Sequence, residues 1–197
     1  MGSNAATYVA RHGQTEWNLE KRWQGQLDSA LTPAGWRAAE DLARFAVECE
    51  IDAIFASPLG RAQDTAAVVA DALGIEVATL ADLAEMHHGA MAGMTAGEAD
   101  ATFPGLRASR EQDKYRWRFP EGESYADVDE RAARAVEVVR RSGRLCPLVV
   151  SHEMIGRMLV RQLAGLRPEQ MLGRRQPHNL VYAIGRPTRE VTELSTG

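Results

Sequence analysis

Short apolar runs alternate along the chain with stretches whose apolar residues recur at helical spacing. Thr7-Tyr8-Val9-Ala10 is a β-rich run that ends at the polar Arg11-His12-Gly13. Thr32-Pro33 reads as an N-cap followed by proline at the first helical position. Ala38, Ala39, Leu42, Phe45 and Ala46 then follow helical spacing, which predicts a helix over 33–49. Ile51 to Ala56 is the next strand, closed by Ser57-Pro58, and a helix over 59–73 stops at Gly74, a natural C-cap. Ile75 to Thr79 is a third strand. An amphipathic helix over 124–141 starts at Ser124, and Leu145 to Ser151 is a strongly apolar strand. A helix over 153–164 follows and ends at Gly165; Leu180 to Ile184 and Glu190 to Leu194 are closing strands, read as a hairpin at a sheet edge.

Strands alternating with helices predict a three-layer α/β/α sandwich with a mostly parallel sheet. Residues 81–123 break the pattern. They are rich in glycine, methionine and charge, and carry Phe103-Pro104-Gly105 and Phe119-Pro120. Such a stretch between regular elements is expected to form a small cap over the strand carboxyl ends. Ligands of open α/β sheets bind at those ends, and three of them carry unusual residues: Arg11-His12, Ser57 to Arg61, and Ser151-His152.

The 197 residues suit one domain spanning 1–197, which buries about 70 % of its unfolded surface without needing a staple. The net charge of −4 argues against a nucleic-acid partner held by phosphate contacts. Of the 23 basic residues only Lys21 and Lys114 are lysines, so the cations are mostly planar forks suited to carboxylates and phosphates. Cys49 and Cys146 form no disulfide framework, read as small buried hydrophobes, and fit a cytoplasmic location. No run reaches 18 apolar residues, so no membrane span is expected. Met1 to Ala6 lack a signal pattern and read as a short disordered start.

A histidine at a strand end, after an arginine and before a glycine, suits a nucleophile, a general base or a metal ligand. His12 has no partner at metal-ligand spacing, which leaves base or nucleophile. Arg61 opens a predicted helix, where a cation is electrostatically awkward unless an anion is shared with the backbone N–H groups. His152 follows the most apolar strand, as His12 follows the first. Glu85, in a largely apolar loop with Gly89 and Gly93 close behind, is a candidate general acid.

These residues lie in ordered blocks: Arg11-His12-Gly13-Gln14-Thr15-Glu16-Trp17-Asn18; Gln24-Gly25-Gln26-Leu27-Asp28-Ser29-Ala30-Leu31-Thr32 with Gly35; Ser57-Pro58-Leu59-Gly60-Arg61-Ala62-Gln63-Asp64-Thr65-Ala66; Gly122-Glu123-Ser124; and Ser151-His152. Together they resemble the histidine phosphatase (phosphoglycerate mutase-like) superfamily over about residues 7–185, small phosphatase branch. The resemblance implies that His12 attacks phosphorus and becomes phosphohistidine. It implies that Arg11, Arg61 and His152 hold the phosphoryl oxygens, and that Glu85 protonates the leaving oxygen and then activates water. Thr15, Asn18, Gln24, Gly25 and Glu153 are the expected substrate-binding residues. No metal and no cofactor is implied, since arginines and histidines supply the positive charge. The implied activity is a metal-independent phosphoric monoester hydrolase of the histidine acid phosphatase type, acting on a small phosphorylated substrate. The implied partners include neither nucleic acid nor membrane, and a homodimer stays open. The alternatives are a cofactor-dependent phosphoglycerate mutase, disfavoured because the 66 residues from Met86 to Ser151 are short for the mutase insertion, and a non-catalytic phosphoester-binding module, disfavoured by the presence of His12 and Glu85.

The chain departs from the pattern in places. Met91 and Ala92 stand where members often carry Trp and Glu, which implies a roomier wall. Glu153 follows the second histidine where glycine is usual; its side chain is expected to turn away while its backbone N–H faces the ligand. His87 and His88 read as solvated loop histidines, and His178 as structural or exposed. Residues 107–118 carry Arg107, Arg110, Lys114, Arg116 and Arg118 against Glu111 and Asp113. Their default reading is a solvated helix face, and the alternative is recognition of a second anionic group on the substrate.

Overall fold

The computed structural model describes residues 5–197. In chain order they form β1 (Ala6–Arg11), α1 (Glu16–Leu19), α2 (Pro33–Glu48), β2 (Ala53–Ala56), α3 (Gly60–Leu73), β3 (Val77–Thr79), α4 (Ala96–Thr102), α5 (Leu106–Arg110), α6 (Tyr125–Arg141), β4 (Pro147–Ser151), α7 (Glu153–Ala164), α8 (Glu169–Leu172), β5 (Leu180–Gly185) and β6 (Val191–Ser195). Met1 to Asn4, most of the expected disordered start, lie outside the described residues, and Ala6 already belongs to β1.

The strands make one sheet in the order β3-β2-β4-β1-β5-β6. The first four are parallel, and β5 and β6 add an antiparallel hairpin at the edge, so the sheet is mostly parallel as expected. Because side chains alternate across a strand, each central strand feeds two cores. Tyr8, Ala10, Ile54, Ala56, Leu148 and Val150 pack on one face with Leu42, Phe45 and Ala46 of α2 and Ala62, Ala66 and Val69 of α3. Val9, Phe55 and Val149 pack on the other with Val128, Ala132 and Val136 of α6 and Ile155, Met158 and Leu159 of α7. Strand β4 is buried along its whole length, and each of its three large aliphatic side chains contributes about 2 kcal/mol of apolar burial. Among the described residues no helix is long and apolar enough to cross a membrane.

Local signals place the helix ends. Thr32 accepts from Gly35 N at 3.0 Å and precedes Pro33, and Ser124 forms a capping box with Asp127. Gly74 and Gly165 end α3 and α7 with φ of 66° and 72°. The strands ahead of these caps start later than the apolar runs suggest: Ile51 and Asp52 lie outside β2, and Leu145 is exposed ahead of β4. Cys49 and Cys146 are half-buried rather than buried, because they sit at the end of α2 and the start of β4 rather than in the core.

The register then decides what the strand ends present. Arg11 pairs with Ser151 and Ala56 with Val150, so β1, β4 and β2 end level with one another. His12 N donates to Ser151 O at 2.9 Å and Ser57 N to Val150 O at 3.1 Å, extending the ladder one residue past each strand.

Candidate active site

A cleft of about 480 Å³ opens over these strand ends. Arg11, His12, Asn18, Gln24, Gly25, Arg61, Glu85 and Glu153 line it, so residues from six separate stretches of sequence meet there. Segment 81–123 borders it through Glu85 and His88.

His12 is 3 % exposed, and its Nδ1 lies 2.7 Å from Gly13 O. A carbonyl accepts only, so Nδ1 carries the proton and Nε2 keeps its lone pair. Nε2 faces Arg61, whose Nε donates to it at 3.2 Å. Burial first, then the charges of His152, Arg11 and Arg61, hold the His12 imidazole well below the usual histidine range, so the ring is neutral. Gly13 allows the chain to pass close to α2: a Cβ there would overlap the backbone of Gly35, and one on Gly35 would overlap Gln14 O.

Arg61 is held along its whole fork. Nη2 donates to Gly25 O at 2.8 Å, and Nη1 to Leu27 O at 2.7 Å and to Asp28 Oδ1 at 3.0 Å. The Asp28 carboxylate also accepts from Gly60 N and Arg61 N at the start of α3. The anion that this helix terminus calls for is thus internal. Asp28 occupies the backbone donors that sequence reasoning reserved for a ligand, and only the Nε edge of Arg61 is turned to His12. Gly25 has φ of 56°, and a Cβ there would press on His88, so glycine is required both for the turn and for the close approach.

His152 is fully buried, and its ring centroid lies 5.0 Å from that of His12. Its Nε2 lies 2.7 Å from Ser57 Oγ, while Ser57 Oγ accepts from Leu59 N. The Ser57 proton is therefore free to go to Nε2, which leaves Nδ1–H as a buried donor on a ring that lies beside His12 but does not itself line the cleft. That Nδ1 has no partner, and neither does buried Arg11 Nε. Unpaired buried donors beside a neutral imidazole leave hydrogen-bonding capacity that an oxyanion would satisfy.

Glu85 is buried, and three backbone N–H groups aim its carboxylate. Met86 N and Ile155 N donate to Oε1 at 2.8 and 3.1 Å, and Met154 N to Oε2 at 3.1 Å. Two of these donors are the orphan amides at the start of α7, so the loop glutamate is oriented by a helix more than 60 residues away in sequence.

Other expectations meet the geometry differently. Thr15 does not line the cleft; its fully buried hydroxyl caps α1 through Asn18 N and accepts from Gln24 Nε2 at 2.6 Å, so it places Gln24 rather than a ligand. Asn18, Gln24 and Gly25 do line it. Glu153 does not turn away. Its Oε2 accepts from Arg11 Nη1 at 3.0 Å and its Oε1 from Arg157 Nη2 at 2.7 Å, because two guanidiniums stand within reach and solvent does not compete well there. His88 is buried rather than solvated. It packs against Phe119 at 4.7 Å and Trp23 at 6.2 Å between centroids, with Nε2 3.3 Å from Met154 Sδ. His87 is exposed as expected. His178 is structural: its Nδ1 donates to His12 O at 2.6 Å. Arg116 and Arg118 pair with Asp113 and Asp127 on the surface, whereas Arg110 and Lys114 turn inward.

Sequence reasoning missed Trp23, Arg157 and Arg175 as lining residues and Asp28 and Gln176 as supports. The helical spacing of Arg157 to Glu153 was the available signal for one of them. Among the described residues no group of three His, Cys, Asp or Glu side chains is placed to hold a metal ion.

A mostly parallel α/β sheet thus carries a neutral histidine, two arginines and a buried carboxylate at its carboxyl end, a set whose chemistry suits a phosphoryl group. The chain belongs to the histidine phosphatase superfamily, branch 1, whose family model matches residues 7–195. It is 35 % identical over 162 residues to a probable phosphoglycerate mutase GpmB of Escherichia coli O1:K1, covering 81 % of this chain and 74 % of that protein. The mycobacterial glucosyl-3-phosphoglycerate phosphatase, solved with VO3, superposes with a TM-score of 0.85 at 26 % identity over 97 % of this chain and 98 % of that one. A putative alpha-ribazole-5'-P phosphatase of Escherichia coli K-12 shares the fold, with a TM-score of 0.86 at 22 % identity over 97 % and 96 % of the two chains.

Proposed function

We propose that the protein is a metal-independent phosphatase, a phosphoric monoester hydrolase of the histidine acid phosphatase type, that works through a phosphohistidine on His12. One observation carries the reading: His12 Nε2 presents its unprotonated lone pair in the cleft, covered only by the Arg61 Nε–H at 3.2 Å, a donor that an arriving phosphoryl oxygen can take over. Such an atom attacks phosphorus in line with the ester oxygen. The Nε2–P bond forms as the P–O bond breaks, and the leaving oxygen takes its proton from the Glu85 carboxyl. Water then gives a proton to the Glu85 carboxylate and attacks phosphorus, Nε2 leaves, and inorganic phosphate is released. Arg11, Arg61 and His152 Nδ1 stabilise the equatorial oxygens during both displacements, which is where phosphoryl transfer needs help.

A second reading, a phosphoglycerate mutase, is favoured by the name of the curated relatives. Incubation with 3-phosphoglycerate separates the two: the phosphatase releases free phosphate and forms no isomer. Hydrolysis of an aryl phosphate, with capture of an acid-labile phosphoenzyme, tests the mechanism itself. Activity that survives His12→Ala would overturn it.

A further inference from the structure

A separate cavity, of about 360 Å³, lies at the other end of the sheet, where β1 begins and β5 ends. Thr7 and His12 stand at opposite ends of β1, about 16 Å apart at the rise of an extended strand, and the cavity shares no lining residue with the cleft. Leu163 of α7, Ile184 of β5 and Pro187 give it an apolar wall, and Arg140, Arg186 and Arg189 bring guanidiniums to it. No acidic residue lines it. Glu190, next in the chain after Arg189, lines a different hollow with Thr188 and Thr192.

The three arginines come from separate elements, and among the described residues none of them enters an ion pair. Arg140, in the last turn of α6, reaches the end of α7, where its Nη2 donates to Gln162 O at 3.3 Å and Leu163 O at 3.4 Å. Arg186, just past β5, donates from Nη2 to Thr7 Oγ1 at 2.6 Å and from Nη1 to Arg144 O at 2.9 Å. Arg189 Nη1 stands over the Gly165 that ends α7, where a Cβ would come within 3.2 Å of it. Arg189 takes φ of 61°, in the left-handed region that disfavours most side chains, so the turn carries this cation at a backbone cost.

Helix capping accounts for only part of this. A cation beside a helix C-terminus is favourable, but that terminus carries about half a negative charge. Three guanidiniums against half a charge leave the space strongly positive. Arg140 keeps Nε and Nη1 uncommitted, and the Arg189 guanidinium has no hydrogen-bond partner among the described residues.

We propose that this cavity binds a small organic anion. Its carboxylate or phosphonate-type head would lie on Arg140, Arg186 and Arg189, and its apolar body against Leu163, Ile184 and Pro187. The volume is at the low end for small-molecule sites, which fits a single ring or a short branched chain rather than a peptide or a nucleic-acid strand. An inorganic oxyanion would leave the apolar wall uncovered. The proposal does not rest on the phosphatase reading, and the two can fail separately.

The experiment is an NMR titration of the protein with benzoate, phenylphosphonate, neutral benzamide and inorganic phosphate, followed through backbone amides and arginine Nε–H signals. Benzoate and phenylphosphonate are expected to shift Thr7, Leu163, Ile184, Gly185 and Arg189 saturably, and benzamide to bind at least about tenfold more weakly. Arg140→Gln and Arg189→Gln should each weaken benzoate about tenfold; they lie on different elements, so misfolding of one leaves the other as the test. The tighter of the two aryl anions identifies the head group. Shifts confined to Gly13, Gly25 and Arg61 would report binding in the cleft alone and overturn the site. Benzamide binding as tightly as benzoate, or an affinity unchanged in both variants, overturns it as well. Inorganic phosphate matching phenylphosphonate at these residues would refute the apolar contact, and with it the organic class.

Discussion

Arg61 Nε lies 3.2 Å from His12 Nε2 and so caps the one lone pair that the imidazole has free. On the phosphatase reading, an incoming phosphoryl group takes over that contact, sharing Arg61 with the nitrogen proposed to attack it. The other three edges of the guanidinium are held by Gly25, Leu27 and Asp28. Arg61→Lys keeps the charge but cannot fill this fork. Its kcat/KM on an aryl phosphate is expected to fall by about 10²–10³, the usual loss for one transition-state donor. A variant within threefold of wild type would show that charge alone suffices.

Glu85→Gln keeps the side chain's shape and removes its proton chemistry. A fall in kcat of about 10²–10⁴ is expected for an alkyl phosphate. With a good aryl leaving group, the first step needs less protonation while hydrolysis of the phosphoenzyme still needs the base. The variant should therefore give a burst of phenol and accumulate phosphohistidine, measured by rapid quench. Steady-state release with no burst would assign the base elsewhere.

Glu153 links Arg11 to Arg157 and also brings negative charge to the edge of the cleft proposed to hold the phosphoryl group. Glu153→Gln preserves a hydrogen-bonding bridge and removes the charge. It should bind inorganic phosphate several-fold more tightly as a competitive inhibitor, with kcat within about fivefold of wild type. Glu153→Ala loses the bridge as well, so its kcat should drop further. If both variants bind phosphate as the wild type does, the carboxylate has no electrostatic part in the site.

Four histidines surround the cleft in neutral form. Burial is the first cause for each: it holds His88 at about 3 and His178 at about 4, and keeps His12 and His152 well below the usual value. The unfolded chain binds these protons near pH 6.5, so the stability they contribute is complete above that pH. It is lost as pH falls towards the folded-state values. For His88 the loss by pH 5 is about 2 kcal/mol, and Tm should decline steeply between pH 7 and 5. His88→Phe, which keeps a ring against Phe119, should flatten that decline when thermal melts are compared across pH.

Gly13 and Gly35 meet backbone to backbone beside the His12 loop. Gly35→Ala must push α2 and residues 13–14 apart, at a cost near the upper end of the ~1–3 kcal/mol typical of overpacking. Thermal denaturation should show this, together with a drop in kcat larger than the change in KM. An alanine variant with wild-type melting would contradict the contact.

The element order was legible because each regular segment carries its own signal. Thr32-Pro33 and Ser124 open helices, Gly74 and Gly165 close them, and buried strands read as continuous apolar runs. The catalytic candidates were legible for a related reason: His12, Arg61 and His152 sit just beyond such runs, where polar residues have no local structural use. The place of Thr15 off the cleft and the inward turn of the Glu153 side chain were not legible, because local position does not reveal a partner. Thr15 faces Gln24 across a turn, and Glu153 finds Arg11 142 residues away.

By itself, then, the sequence determined where β2, β3 and β4 end, which long helices flank the sheet, and which side chains are candidates for phosphoryl chemistry. Only the tertiary structure decided which of their hydrogen-bonding edges remain free. It turned the Nε edge of Arg61 to His12, filled the α3 terminus with Asp28, aimed Glu85 with amides of α7, and gathered Arg140, Arg186 and Arg189 around one space. Period and capping are interactions between near neighbours, so they are written in short stretches of chain. Donor, acceptor and charge balance depend on groups that meet only when the sheet register and the cap segment bring distant segments together.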